Sequence, residues 1–146
     1  MRPRPKVITL DVDPDSLARL REALPGWVFQ AADEGAADLL GRDWEPAAAG
    51  LVVVGPRARR GEALGLCRWL RVQAGRAHTP LLVLVPAGQE AQVRSVLAAG
   101  ADHCLVLPVR ATDLALVADD ARAEDRERRL DQDRYTSAWQ DDGGKG

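Results

Sequence analysis

The stretch Leu51-Val52-Val53-Val54-Gly55-Pro56 decides the fold of this chain. Four consecutive apolar residues without polar alternation predict a strand that is covered on both faces, as in the middle of a parallel sheet. The Gly-Pro pair that follows predicts a sharp turn at the end of that strand. The run therefore marks the centre of a sheet, with the other strands to either side.

Short apolar runs alternate with amphipathic stretches on both sides of this strand. Strands are predicted at residues 6–10, 27–31, 51–54, 81–85 and 104–107. Asp13-Pro14 predicts a helix N-cap followed by proline at the first helical position, and leucines then recur at helical spacing to Leu24. Further helical stripes follow near residues 36–40, 63–70, 93–97 and 114–121. Five such units predict an α/β fold on a parallel sheet.

The composition changes after Ala121, which divides the chain into three parts. Residues 1–121 are predicted to form the folded domain. Residues 122–134 are almost wholly charged, and mixed signs at helical spacing predict a solvated extension of the last helix. Leu130 alone is too little for a coiled-coil seam. Residues 135–146 are expected to be disordered, with Trp139 either a short docking motif or folded back on the domain.

Charge and cysteine usage exclude several classes of function. A net charge of −2 over 146 residues gives no general attraction to nucleic acid or to an anionic membrane. No apolar run approaches the roughly 20 residues that cross a bilayer, so a cytoplasmic protein is expected. Cys67 and Cys104 lie in apolar segments without CxxC spacing, which favours buried structural thiols over a metal site.

Four landmarks, taken in order, carry a resemblance to a known family. They are residues 10–17 (LDVDPDSL), 66–71 (LCRWLR), 79–84 (TPLLVL) and 99–102 (AGAD). With them, the chain from about residue 6 to residue 128 resembles a bacterial response-regulator receiver domain. The resemblance implies a flavodoxin-like (βα)5 sandwich whose parallel strands run in the order 2-1-3-4-5. It also implies a site at the carboxyl ends of the first and third strands.

The resemblance further implies where a receiver's phosphorylation chemistry would lie. The acidic pair that holds Mg²⁺ falls on Asp11 and Val12, with Asp13 next to them. The phosphoacceptor aspartate falls on Gly55, which has no side chain to act as a nucleophile. Asp11 and Asp13 are the residual weak candidates for holding a cation, and a solvated turn with a helix cap is the alternative interpretation. No cofactor is expected.

Three other positions of the implied site have also lost their chemistry. The hydroxyl position after the fourth strand falls on Val85, and the lysine after the fifth strand falls on Leu107. The aromatic switch residue of the fifth strand falls on Cys104. Val85 and Leu107 thus replace a hydrogen-bond donor and a cation with apolar side chains. An apolar cleft cannot offset the free-energy cost of removing Mg²⁺ or phosphate from water.

These losses predict a non-enzymatic pseudo-receiver that acts in signal transduction through protein contacts, without aspartyl phosphorylation. One alternative is a small-ligand sensor that uses the apolar cleft. Another is a divergent receiver that is still phosphorylated at Asp11 or Asp13. FMN is disfavoured because the loop after the first strand is acidic, and cobalamin because its Asp-x-His-x-x-Gly motif is absent.

In the family that the chain resembles, partners and dimer mates dock on the fourth helix, fifth strand and fifth helix. Carried to this chain, that surface implies protein partners and allows a homodimer. Leu116 is a candidate contact because it lies off the buried stripe of its helix, although a stray exposed leucine is as good an interpretation. The candidate interaction face consists of Gln89, Gln92, His103, Leu105, Arg110 and Leu116.

Overall fold

The computed structural model describes residues 5–32, 50–55, 68 and 79–145. Its elements are β1 (Lys6–Leu10), α1 (Pro14–Ala23), β2 (Val28–Ala32), β3 (Leu51–Val54), β4 (Leu81–Val85), α2 (Gln92–Ala98), β5 (His103–Val106) and α3 (Ala111–Lys145). Helices α2 and α3 correspond to the fourth and fifth predicted helices. The second and third predicted helices lie outside the described residues, except that Arg68 is helical.

The five strands form one parallel sheet in the order β2-β1-β3-β4-β5, which confirms the predicted fold class and strand order. Every residue of β3 and β4 is buried, as the unbroken apolar runs predict, whereas β5 is half-buried along its whole length because it lies at an edge. β2 and β5 are each displaced by one residue from their predicted positions. Leu107 consequently follows β5 instead of ending it.

One face of the sheet packs against α1 and α3 and forms the main hydrophobic core. Alternate residues of the strands point to this face, because side chains in a strand alternate between its two sides. The helices contribute the stripes that were predicted from their leucines and alanines. The buried members are Val7, Leu20, Leu24, Leu51, Val53, Leu82, Leu84, Val109, Leu114, Val117, Ala118 and Ala121.

The turn before β5 is held by hydrogen bonds to the beginning of β4. The Asp102 carboxylate accepts a hydrogen bond from the Leu81 amide at 2.8 Å, and the Asp102 amide donates to the Leu81 carbonyl at 3.0 Å. Gly100 has a φ of 119° just past the end of α2, where helices commonly end at a glycine with positive φ. Within the Ala-Gly-Ala-Asp landmark, Gly100 thus follows the end of α2 and Asp102 joins the turn to β4.

Helix α3 continues without a break to Lys145, so residues 135–145, for which composition predicts disorder, are helical in the structure. Before that segment, an ion pair at helical spacing, Arg129 to Asp125 at 3.0 Å, favours the helix. At 35 residues the helix is about 52 Å long. The division of the chain into a domain, an extension and a tail stays a prediction, and the Trp139 side chain lies outside what is described.

Replacing Leu114 with alanine should destabilise the domain far more than replacing Leu116. Leu114 is 2% exposed in the core and Leu116 is 67% exposed on the same helix. We expect Leu114→Ala to lower the free energy of unfolding by about 2–5 kcal/mol through lost burial and a cavity. Leu116→Ala, the matched control, should stay within about 0.5 kcal/mol. Urea denaturation of both variants measures the difference, and equal midpoints would contradict the burial of Leu114 in the core.

Candidate functional site

The carboxyl ends of β1 and β3 meet at Gly55, where the two backbones lie unusually close. The Gly55 amide donates a hydrogen bond to the Leu10 carbonyl at 2.7 Å, which extends the β1–β3 ladder by one residue. A Cβ atom added at residue 55 would overlap the Asp11 carbonyl group and would lie 2.7 Å from the Cα of Val12. The turn after β1 therefore fills the space in which a side chain at residue 55 would lie.

Asp11 makes this approach possible by its backbone conformation. Its φ is 52°, the left-handed region that aspartate tolerates better than most residues because its short polar side chain can hydrogen-bond to the local backbone. The side chain of Asp11 is exposed. Asp11 is thus a turn residue whose main chain packs against Gly55.

Asp13, the other candidate cation ligand, is used as a helix cap. One of its carboxylate oxygens accepts a hydrogen bond from the Ser16 amide at 3.0 Å, and its own backbone is extended. That geometry satisfies one of the free amides of the first turn of α1, as the Asp13-Pro14 sequence predicts. Over the residues that the structure describes, no group of three or more His, Cys, Asp or Glu side chains is placed to hold a metal ion.

The three apolar positions of the implied site belong to the packing of the domain. Val85 is buried at the end of β4, and its carbonyl accepts a hydrogen bond from the Leu107 amide at 2.9 Å. Leu107 and Val12 are partly buried and pack against the core between the sheet, α1 and α3. The resemblance implies a hydroxyl at residue 85, a lysine at residue 107 and an acid at residue 12, and all three residues have apolar side chains instead.

Cys104, at the implied switch position, has a thiol whose pKa is raised by burial. It is free and half-buried in β5. Desolvation by this burial raises the pKa of the Cys104 thiol from 9.0 to about 11. Because the thiolate is the nucleophile and metal ligand, this raised pKa disfavours both roles for Cys104 at neutral pH. Cys67 lies outside the described residues.

The six residues of the candidate interaction face differ in how far they are exposed. Gln89, Arg110 and Leu116 are exposed, whereas Gln92, His103 and Leu105 are half-buried. The Gln92 side-chain amide donates to the Gln89 side-chain carbonyl at 2.5 Å.

His103 and Leu105 connect β5 to the rest of that face. His103 Nε2 lies 2.7 Å from an Asp120 carboxylate oxygen, which ties β5 to α3. Leu105 packs against the core from the edge strand. A surface with both ordered polar pairs and an exposed leucine is present, although its use by a partner stays a prediction.

An open cavity of about 420 Å³ lies along the outer edge of β5. It follows the strand into the loop before α3 and ends at one basic and one acidic side chain. The peptide bond between Leu107 and Pro108 in its wall is cis. The lining residues are Cys104, Leu105, Val106, Leu107, Pro108, Arg110 and Asp113.

Solved structures with the same architecture are receiver domains of bacterial response regulators. The receiver domain of the Francisella response regulator 1452 is 20% identical, with a TM-score of 0.60 over 85% of this chain and 99% of that one. A Thermotoga maritima response regulator is also 20% identical, with a TM-score of 0.61 over 82% of this chain and 98% of that one. The chain has the receiver fold.

The receiver fold also matches a Burkholderia pseudomallei protein named for pilus assembly. That protein is 17% identical, with a TM-score of 0.65 over 82% of this chain and 90% of that one. No family model matches the sequence, and no curated protein matches it. At these identities the comparisons establish the fold. Separately, none of the described helices is both long and apolar enough to span a membrane.

Sequence reasoning placed Gly55 at the end of the central strand but missed why glycine is required there. The reason is the approach of the β1–α1 turn, which depends on the left-handed conformation of Asp11. The available signal was a glycine directly after a buried strand, since such a glycine often marks close backbone contact. The sequence could not tell which backbone would approach.

Adding a single methyl group at residue 55 should destabilise the protein. We expect Gly55→Ala to cost at least about 2 kcal/mol because the β1–α1 turn must move to admit the Cβ atom. Gly88→Ala is the control, since Gly88 has a φ of 89° but no atom within 4 Å of an added Cβ. That control should cost only about 1 kcal/mol of backbone strain. The free energy of unfolding of both variants is measured by urea denaturation. An equal loss in Gly55→Ala and Gly88→Ala would contradict the close contact between Gly55 and the turn after β1.

The thiol of Cys104 should react slowly with alkylating reagents in the folded protein. At pH 8 a pKa of about 11 leaves about 100-fold less thiolate than the unperturbed value of 9.0. In a Cys67→Ser background, we expect iodoacetamide to modify Cys104 about 100-fold more slowly in the native protein than in the same protein unfolded in urea. The native rate should rise with pH until about pH 11. Equal native and unfolded rates at pH 8 would refute the burial of this thiol.

Proposed function

We propose that this chain is a pseudo-receiver, a cytoplasmic and non-enzymatic module of bacterial signal transduction that binds protein partners without being phosphorylated. The receiver fold supports the signalling context. One observation carries the rest of the proposal: the Asp11 carbonyl and the Val12 backbone occupy the space of any side chain at residue 55. A carboxylate cannot stand there without displacing the turn that leads into α1.

The surroundings of Gly55 support the same conclusion. Catalysis of phosphoryl transfer needs groups that neutralise charge on the transferred oxygens. Val85 is buried and Leu107 packs on the core, so the positions implied for the hydroxyl and the lysine give no such help. Apolar walls instead disfavour the binding of Mg²⁺ and phosphate.

Phosphorylation at Asp11 or Asp13 is disfavoured for different reasons at the two residues. Asp13 holds the Ser16 amide as the cap of α1, so a phosphoryl group there would compete with the helix. Asp11 is exposed, and its backbone rather than its side chain faces Gly55. The turn therefore uses both aspartates in structural roles.

A small-ligand sensor would need space at the same edge of the sheet. The backbone contact at Gly55 removes that space at the point where β1 and β3 end. A metabolite would have to displace a turn that is anchored by the Asp13 cap and by the packing of Val12. The backbone contact at Gly55 thus disfavours a ligand pocket at the ends of β1 and β3.

The proposed partners are proteins that dock on α2, β5 and α3, the elements carrying the candidate interaction face. This surface combines the open edge of β5 with the exposed Leu116. His103 and Asp120 fix its centre by joining β5 to α3. A homodimer through this face is one arrangement within the proposal, and nucleic acid and membranes are not expected ligands.

Incubation with acetyl phosphate and Mg²⁺ should leave the intact mass of this protein unchanged. A receiver with a complete site, treated in parallel, is the positive control and should gain one base-labile phosphoryl group. Gly55→Asp should also remain unmodified, because it restores a carboxylate without its lysine, hydroxyl and second acid. A base-labile phosphoryl adduct on the wild-type protein would refute the proposal. Asp11→Asn and Asp13→Asn would then locate the modified residue.

A further inference from the structure

The outward side of α3 carries an apolar stripe that the domain does not cover. Leu116 is 67% exposed and Leu130 is 48% exposed, and Ala123 lies exposed midway between them. These three residues are seven apart, and seven residues are close to two helical turns, so they share one side of the helix. We call them the outer stripe.

One side of the outer stripe is acidic over its whole length. Asp113, Asp120 and Glu127 are also seven apart, and each precedes a stripe residue by three positions, which makes them neighbours on the helix surface. Asp120 bonds to His103, so this acidic flank faces the β5 edge. Asp113 also lines the open cavity along β5, which makes the flank and the cavity one continuous surface.

The opposite side of α3 has basic residues that are turned toward α1. Arg122 donates to the Ala23 carbonyl at 2.5 Å, which fixes that side of the helix against the end of α1. Arg129, seven residues further on, lies on the same side and pairs with Asp125 at 3.0 Å. These two arginines interact within the chain. Arg126 is exposed beside the outer stripe, three positions after Ala123, so the three acidic residues of the flank outnumber it.

We propose that the outer stripe of α3 docks a basic amphipathic helix from a partner protein. Two exposed leucines fourteen residues apart, with Ala123 midway between them, suit the apolar face of a second helix, and the carboxylates beside them suit lysine or arginine on that helix. This inference rests on the proposed function, because it names the chemistry of the partner that the module binds.

The same charges disfavour a second copy of this chain as the occupant. In a parallel pair of α3 helices, Asp113, Asp120 and Glu127 would each lie beside their own counterparts. In an antiparallel pair centred on Ala123, Glu127 would lie opposite Asp119 of the second copy, whereas Asp120 would lie opposite Arg126. Like charges across a helix pair are unfavourable and select a partner of opposite charge.

A leucine–lysine helical peptide of three heptads is the probe for this surface. Labelled with fluorescein, it should bind the full-length protein in a fluorescence-anisotropy titration, and added salt should weaken the binding because exposed charges are screened. The matched control peptide has glutamate at every lysine position and should not bind. Sedimentation of the protein alone should show no dimer that Leu116→Ala dissociates.

Four variants should locate the binding on α3. Leu116→Ala and Leu130→Ala should each weaken peptide binding about tenfold, as expected when an interface anchor is truncated. Glu127→Gln should weaken binding at low salt and flatten its salt dependence. Leu97→Ala is the matched control, because Leu97 is 43% exposed on α2, and it should bind as the wild type does. All of these side chains are exposed, so the variants should stay folded.

Three results would overturn the docking proposal. They are no binding of the leucine–lysine peptide, binding that Leu116→Ala and Leu130→Ala leave unchanged, and a dimer that Leu116→Ala dissociates. The last result would make a second copy the occupant of the stripe. None of them bears on phosphorylation, which the mass experiment tests alone, so failure of this inference is distinguishable from failure of the proposed function.

Discussion

The contact between Gly55 and the turn after β1 is the constraint on which the site depends. The ladder between β1 and β3 continues to the Gly55 amide, which brings the two strand ends together. The left-handed conformation of Asp11 then turns the chain across Gly55 and delivers Asp13 to the N-terminus of α1. One backbone contact therefore links the sheet, the first helix and the loss of the implied phosphoacceptor.

With that contact in place, the sheet edge that would hold a phosphate becomes part of the packed structure. Val12 and Leu107 pack against the core, and burial raises the pKa of the Cys104 thiol. The proposed docking surface lies elsewhere, on α2, β5 and α3. It includes the open edge of β5, the His103–Asp120 pair and the outer stripe.

Much of the fold could be predicted because its signals are local. The apolar run of β3 implied burial on both faces, and the Asp13-Pro14 pair implied the start of α1, since each depends only on neighbouring residues. The ends of β5 were predicted one residue away, because strand ends depend on pairing with β4. Composition predicts disorder over residues 135–146, whereas the backbone of α3 continues to Lys145, and the division of the tail stays a prediction.

The sequence by itself determined the order of the elements, the buried strands and the absence of an acid at residue 55. These follow from residue type and spacing, which act over a few neighbours. Only the tertiary structure decided that the Asp11 carbonyl occupies the place of a side chain at residue 55, and that the acidic side of α3 faces β5. Both depend on which surfaces meet in space, and that is fixed by packing between elements distant in the chain.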